Sequence, residues 1–216
     1  MKLIVFDTET TGLIPKKSSL YSKKVNNPYI VQLSWLVFDT IENKLDGTYD
    51  YIVKLPEGIT IPKEASDIHK ITNEIMKEKG HDIGCVLGKF YNDLIKCNML
   101  IAHNITFDKK MLSIEFYRNG YGKHFIKNKY NKYCTMTMGT PICNIRVPSK
   151  WKKNETYVRW CKLIELHEKL FNETPNNLHN SLIDILVCFR CYYKMYNGKD
   201  ILTIDNNLNN IYKNFK

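Results

Sequence analysis

No stretch of the chain comes near the roughly 20 consecutive apolar residues that a membrane-crossing helix needs. The opening run, Met1 to Phe6, is too short for a secretory leader. The seven cysteines are odd in number and follow no repeated spacing, which excludes a disulfide scaffold. Cys188 and Cys191 form a C-x-x-C, but on a helical stretch and with no second pair, so they read as small buried residues rather than as a zinc site. An intracellular, soluble protein with no membrane partner is the expectation. Acids are in deficit: 22 Asp and Glu stand against 32 Lys and Arg, a formal net charge of +10. That surplus suits a polyanionic partner, yet charge alone also fits a plain basic surface. Asn, Lys, Ile and Tyr are abundant, all with AT-rich codons, so part of the lysine surplus is compositional. In 216 residues, 44% apolar, there is material for one well-filled core.

Apolar runs at Leu3–Phe6, Ile30–Phe38, Asp50–Leu55 and Met99–Ala102 predict strands, with a fifth near Tyr133–Met136. Glu42–Gly47 reads as a turn. Helical periodicity appears over Glu64–Ile68, Thr72–Lys79, Ile83–Lys96, Phe107–Tyr117, Trp160–Phe171 and Ser181–Tyr196. Three strands followed by alternating helices and strands predict an α/β fold with a mixed sheet and helices packed against it.

Three acidic clusters stand out. Phe6-Asp7-Thr8-Glu9 closes the first strand, and alternation puts Asp7 and Glu9 on one side of it. Two neighbouring carboxylates beside an apolar core repel each other, and no Lys or Arg follows until Lys16. A divalent cation would resolve the conflict; a solvent-exposed strand end would avoid it. Ala102-His103-Asn104 with Phe107-Asp108 follows a buried strand and opens a helix, where a carboxylate also suits the macrodipole. In His179…Asp184, the five-residue spacing turns the two side chains roughly 140° apart on a continuous helix. That places His179 on the loop or cap ahead of the helix and Asp184 inside it, where the two read equally as a cap and a flank residue.

Order and detail together are more specific. Phe6-Asp7-Thr8-Glu9-Thr10-Thr11-Gly12-Leu13, Ala102-His103-Asn104…Phe107-Asp108 and His179…Asp184 resemble the three motifs of the DEDDh (DnaQ-like) 3′→5′ exonucleases. That family includes the proofreading epsilon subunit of bacterial DNA polymerase, RNase T and oligoribonuclease. Ile68-His69-Lys70-Ile71-Thr72 is similar to the family's I-H-x-I-T segment. The resemblance runs from about Met1 to Tyr196, implying an exonuclease domain over residues 1–198 and an Asn-rich, loosely packed tail over 199–216.

The resemblance implies an RNase H-like fold with a mixed five-stranded sheet flanked by helices. It also implies two metal ions, Mg²⁺ by default with Mn²⁺ able to substitute, held by Asp7, Glu9, Asp108 and Asp184. Asp7 would bridge both ions, Glu9 and Asp184 would hold the ion that activates water, Asp108 would serve the second, and His179 would be the general base. Thr8, Thr10, Leu13, His69, Ile71, Asn104 and Phe107 are the expected substrate contacts, with Leu13 against the terminal base. Two positions depart from the family pattern. Ser181 stands where Ala is usual, with little effect expected, and Lys70 where Gly is frequent, in the segment that shapes the terminal pocket.

Several basic segments then read as elements that hold a nucleic-acid strand. Lys16, Lys17, Lys23 and Lys24 share one loop. Lys123, Lys127, Lys129 and Lys132 alternate with Tyr121, Phe125, Tyr130 and Tyr133. Arg146, Lys150, Lys152, Lys153 and Arg159 accompany Trp151, Tyr157 and Trp160. Cations for phosphates and rings for unstacked bases are what single-strand binding requires, although each segment also reads as a solvated lysine-rich loop. The leading expectation is an enzyme releasing nucleoside 5′-monophosphates from DNA, at single strands or frayed ends. An exoribonuclease of the same family is the rival, because discrimination lies in contacts to the 2′-OH. An endonuclease of the same fold and a non-catalytic nucleic-acid-binding module stay open, and proofreading would require a separate polymerase or replication partner.

Overall fold

The structure is a computed structural model that describes residues 1–16, 26–121, 130–152, 154–175 and 179–213. The basic segments expected at Lys17, Lys23, Lys24, Lys123, Lys127 and Lys129, together with Phe125 and Lys153, lie outside the described residues.

Five strands form the main sheet: β1 (Lys2–Thr10), β2 (Ile30–Asp39), β3 (Lys44–Ile52), β4 (Met99–Ala102) and β5 (Asn131–Cys134). Their order is β3-β2-β1-β4-β5. β1 pairs antiparallel with β2 and β2 with β3, while β1–β4 and β4–β5 are parallel. This is the mixed sheet expected, and β1, β2 and β4 are covered on both faces, which explains their continuous apolar runs.

Alternation along β1 divides the core in two. Leu3 and Val5 face α7 (Ser181–Asn197), which packs Ile185, Leu186 and Phe189 against them together with Leu36, Phe38 and Ile101. Ile4 and Phe6 face α3 (Ile83–Leu94) and α4 (Ile105–Arg118), meeting Phe90, Met111, Leu112 and Trp35. A third cluster seats α1 (Lys63–His69) and α2 (Asn73–Lys79) on Val31, Leu55 and Ile61 through Ile71 and Met76. Membership of Leu3 and Val5 in the α7 face sends Asp7 and Glu9 to that face as well.

Several elements differ from expectation. β3 begins at Lys44, well ahead of Asp50, and the turn shortens to Thr40–Asn43, with Asn43 in the left-handed region (φ 49°). Gly47 therefore lies inside the strand, beside a register shift between Val37 and Phe38. There a Cβ would come within 2.8 Å of the Tyr49 hydroxyl, so this glycine marks a close approach rather than a turn. The strand expected at Tyr133–Met136 gives way after Cys134 to α5 (Thr135–Cys143). Gly139 and Pro141 argue against a helix there. Packing overrides them: a Cβ on Gly139 would lie 2.6 Å from Leu166 of α6 (Leu163–Phe171), so the glycine lets the two helices touch. A separate two-stranded ribbon, β6 (Arg146–Pro148) and β7 (Thr156–Val158), follows α5 and was not legible.

The expectation of a loosely packed tail fails. A 3-10 turn (Ile201–Thr203) leads into α8 (Asn206–Lys213), whose Leu208 and Tyr212 join the α7 core. Asp205 fastens the segment to β3 by accepting from the Leu45 amide at 3.0 Å, and caps α8 by accepting from Asn207 at 2.8 Å. Deeper down, the buried Arg190 guanidinium donates to Asp200 at 2.6 Å, Glu173 at 3.2 Å and His167 Nε2 at 3.1 Å, and lies over the Phe171 ring. Burial and the Arg190 charge lower the His167 pKa. His167 is therefore neutral, accepting at Nε2 from Arg190 and Tyr212 and donating from Nδ1 to the Glu173 carbonyl at 2.8 Å. Arg190→Met keeps the aliphatic stem but removes the guanidinium bonds to Asp200 and Glu173. It is expected to cost about 3 kcal/mol in urea unfolding; a cost under about 0.5 kcal/mol would show that the Arg190 network contributes little to holding the C-terminal segment.

Candidate active site

The acids gather at the C-terminal end of β1. Asp7 and Glu9 project from one face of the strand and Asp184 comes from the first turn of α7, so that carboxylate oxygens of the three lie within 4.8 Å of one another. Among the described residues, Ser181 makes two bonds that hold the start of α7 over β1 and β2. The Ser181 hydroxyl donates to the Asp7 carbonyl at 2.9 Å, and the Ser181 amide donates to Gln32 Oε1 at 3.4 Å. Gln32 stands opposite Glu9 in the β1–β2 register and is itself fixed by donating to Asp50 at 2.7 Å, which also accepts from Ser34 at 2.6 Å. Asn180 caps the helix by accepting from the Leu182 amide at 3.1 Å.

Asp108 arrives from the other layer. It is buried in the first turn of α4 and accepts from both the Thr8 amide (3.2 Å) and the Thr8 hydroxyl (2.8 Å). Asn104, in the left-handed conformation at φ 66°, turns the chain from β4 into this helix. His103 stabilises the same turn, half-buried between the Thr135 hydroxyl at 3.0 Å and the Cys161 carbonyl at 3.1 Å. Burial lowers its pKa to about 4, so the ring is neutral and donates to Cys161 from Nε2.

Among the described residues, the electrostatics are those of a site without a paired positive charge. None of the ion pairs among the described residues involves Asp7, Glu9, Asp108 or Asp184. Burial, then the charges of Asp7, Asp184 and Asp108, push the Glu9 carboxyl up to about 9. Burial raises Asp7 to about 6 against the opposing bonds of Ser181 and Thr8. Asp108 and Asp184 are likewise raised by burial and by Asp7. Four hard-oxygen ligands that cannot all ionise unaided fit a divalent cation.

The remaining expected residues divide. His179 sits directly before Asn180 at φ 71°, its amide donating to Asp184 Oδ2 at 3.2 Å and its side chain exposed. Thr8 is buried with its hydroxyl committed to Asp108, and the buried Thr10 donates to the Gly12 carbonyl at 2.8 Å. His69 and Ile71 are buried; the His69 ring accepts from the Ile71 amide at 3.1 Å, and burial lowers its pKa. Leu13 is 85% exposed and packs on nothing in the cluster, Asn104 is exposed and Phe107 half-buried. Lys70 occupies the left-handed region (φ 63°), which gives the physical reason a glycine suits this position. Sequence reasoning missed Gln32, whose part depends on a cross-strand register, and undervalued Ser181, whose hydroxyl ties the two acid-bearing elements together.

The chain matches the RNase_T exonuclease family over residues 4–192. It therefore belongs to that exonuclease family, and its fold is the RNase H-like fold of the DnaQ-like exonucleases. Among solved structures it is similar to exonuclease I (TM-score 0.65, 17% identity, 89% of this chain and 40% of that one). A second match is E. coli exonuclease I in complex with a dT13 oligonucleotide (TM-score 0.65, 16% identity, 89% and 41%). A third is exonuclease X in complex with 5′ overhanging duplex DNA (TM-score 0.55, 21% identity, 91% and 92%). The chain thus spans about two-fifths of the exonuclease I structures it resembles. No curated protein matches it in sequence. Family membership implies dependence on a divalent metal, and the acidic cluster fits that requirement.

The raised carboxyls make stability depend on pH in a fixed direction. Glu9 titrates near 4.5 when unfolded and at about 9 when folded, so between those values the native state holds the extra proton and stability falls as pH rises. In EDTA the melting temperature should therefore drop from pH 5 to pH 9. Mg²⁺ or Mn²⁺ added at pH 8 should restore much of it, and Glu9→Gln should flatten the slope. A melting temperature indifferent to both pH and divalent ions would contradict this electrostatic account.

Proposed function

We propose that this domain, over residues 1–198, is a 3′→5′ exonuclease that releases nucleoside 5′-monophosphates from single-stranded or frayed DNA. The observation that carries the reading is the convergence of Asp7, Glu9 and Asp184 beside Asp108, with none of the four in an ion pair among the described residues. These four side chains would hold two Mg²⁺ ions, with Mn²⁺ able to replace them. When bound, such ions lower the pKa of water and offset charge on the phosphodiester oxygens.

The chain's own residues supply the rest. Ser181 and Gln32 keep α7 docked, so Asp184 stays opposed to Asp7 and Glu9. Thr8 orients Asp108 through two donors, leaving the second carboxylate oxygen for a ligand. His179, ahead of the Asp184 helix and exposed, would accept the proton of the attacking water on an imidazole nitrogen. Leu13 and the Ile68–Thr72 segment are proposed to close one end of the site against a continuing chain and grip the terminal nucleotide. DNA is preferred because the similar exonuclease I and exonuclease X structures are bound to it. The RNase_T family match keeps an exoribonuclease as the second reading.

The test is a time course with Mg²⁺ on free, 3′-phosphorylated and circular DNA oligonucleotides and on the RNA counterpart of the first. The free DNA strand should shorten one nucleotide at a time, the 3′-phosphate should inhibit, and the circle should survive. His179→Ala should slow the reaction by roughly 10²–10⁴ with strand binding kept. Efficient cutting of the circle would overturn the exonuclease reading, and faster loss of the RNA would transfer it to the second reading.

A further inference from the structure

The β6–β7 ribbon has no part in the acidic cluster, yet its construction is costly. Its strands pair Arg146 with Val158, Val147 with Tyr157 and Pro148 with Thr156, outside the five-stranded sheet. A lone two-stranded ribbon is marginal in water, and this one also presents large rings to solvent: Trp151 is 93% exposed, Trp160 59% and Tyr157 48%. Among the described residues none of these rings stacks on another aromatic group. Exposed apolar surface of this kind marks an interaction site.

The tip is ordered by its own bonds. The Ser149 hydroxyl accepts from the Trp151 amide at 3.2 Å and the Lys152 amide at 3.1 Å, and the Ser149 amide donates to the Glu155 carbonyl at 2.8 Å. Cations flank the rings. Lys150 and Arg146 are exposed, and Lys152 meets Glu155 at 3.2 Å in an exposed pair that holds it weakly.

The base of the ribbon ties it to the acids. The Arg159 amide extends the ladder by donating to Ile145 at 3.1 Å, and the Cys161 carbonyl accepts from His103 at 3.1 Å. β1 and β4 run parallel with Val5 beside Ile101, and β4 ends at Ala102, so the turn that holds His103 follows β4 beside the part of β1 that goes on to Asp7. Through His103 and Cys161 the base of the ribbon is joined to the turn that follows β4, at the same end of the sheet as the acidic site.

We propose that the ribbon is a second nucleic-acid site, an arm that binds the single strand several nucleotides from the end being cleaved. Trp151 stacks on a base while Lys150 and Arg146 meet phosphates. Charge complementarity favours a polyanionic strand over a protein or lipid partner, and rings interleaved with cations match unstacked bases. The inference rests on the nucleic-acid substrate proposed above, but its test does not need catalysis.

Trp35 is fully buried, so a change in tryptophan emission on strand binding reports Trp151 and Trp160. Full-length protein in EDTA is titrated with a 15-nucleotide oligo(dT). Emission should be quenched, and Trp151→Ala should weaken binding by about tenfold, the cost of one lost base stack. Lys150→Gln should reduce the salt dependence of binding. Unchanged affinity in Trp151→Ala together with an unchanged salt slope in Lys150→Gln would overturn the arm, whatever the cleavage assay shows. Normal binding by a wild-type protein that cleaves neither DNA nor RNA would instead overturn the exonuclease reading and keep the arm.

Discussion

Repulsion among carboxylates at the end of β1 is the constraint on which the site depends. Asp7 and Glu9 share a strand face and Asp184 closes on them to within 4.8 Å. Left alone, such a group would hold protons, and Glu9 is pushed up to about 9. The surrounding structure keeps the acids together rather than letting them separate. Ser181 fastens α7 to the Asp7 carbonyl, Gln32 receives the Ser181 amide, and Thr8 grips Asp108 from the other layer. None of these bonds neutralises charge; each fixes the position of a group that requires a cation. Energy from burial on both sheet faces holds this arrangement in place.

Much of this was legible in the residues. Period-two alternation in Leu3–Glu9 placed both acids on one face, and the break in helical phase between His179 and Asp184 placed the histidine ahead of α7. What escaped depended on distant contacts. Gly47 looked like a turn but sits beside a register shift under Tyr49, and Gly139 and Pro141 masked a helix that Leu166 stabilises. The C-terminal segment looked loose because its Asn-rich surface hides Leu208 and Tyr212, and because the partners of Arg190 are scattered over Glu173, Asp200 and His167. Lys70 shows the converse: a departure from the family pattern whose meaning, a left-handed backbone held by a non-glycine residue, emerged only with the dihedral.

One segment lies beyond the family match, while the ribbon falls inside it. The match ends at residue 192, and beyond it α8 packs Leu208 and Tyr212 into the α7 core, joined to the body by Arg190, His167 and Tyr212. Glu173, held in the same network, begins the segment that leads to His179. The ribbon lies within the match, its base joined to the body where His103 clasps Cys161. The C-terminal segment is bonded to the helix that bears Asp184, and the ribbon presents basic, aromatic surface.

The central claim is that the acids are mutually destabilising until divalent cations join them. Asp7→Asn tests it most directly, through metal-free thermal stability and Mn²⁺ uptake measured by calorimetry on the same preparation. The account predicts a variant that melts above the wild type in EDTA and takes up little or no Mn²⁺. A variant that melts below the wild type in EDTA and still binds Mn²⁺ as tightly would contradict it.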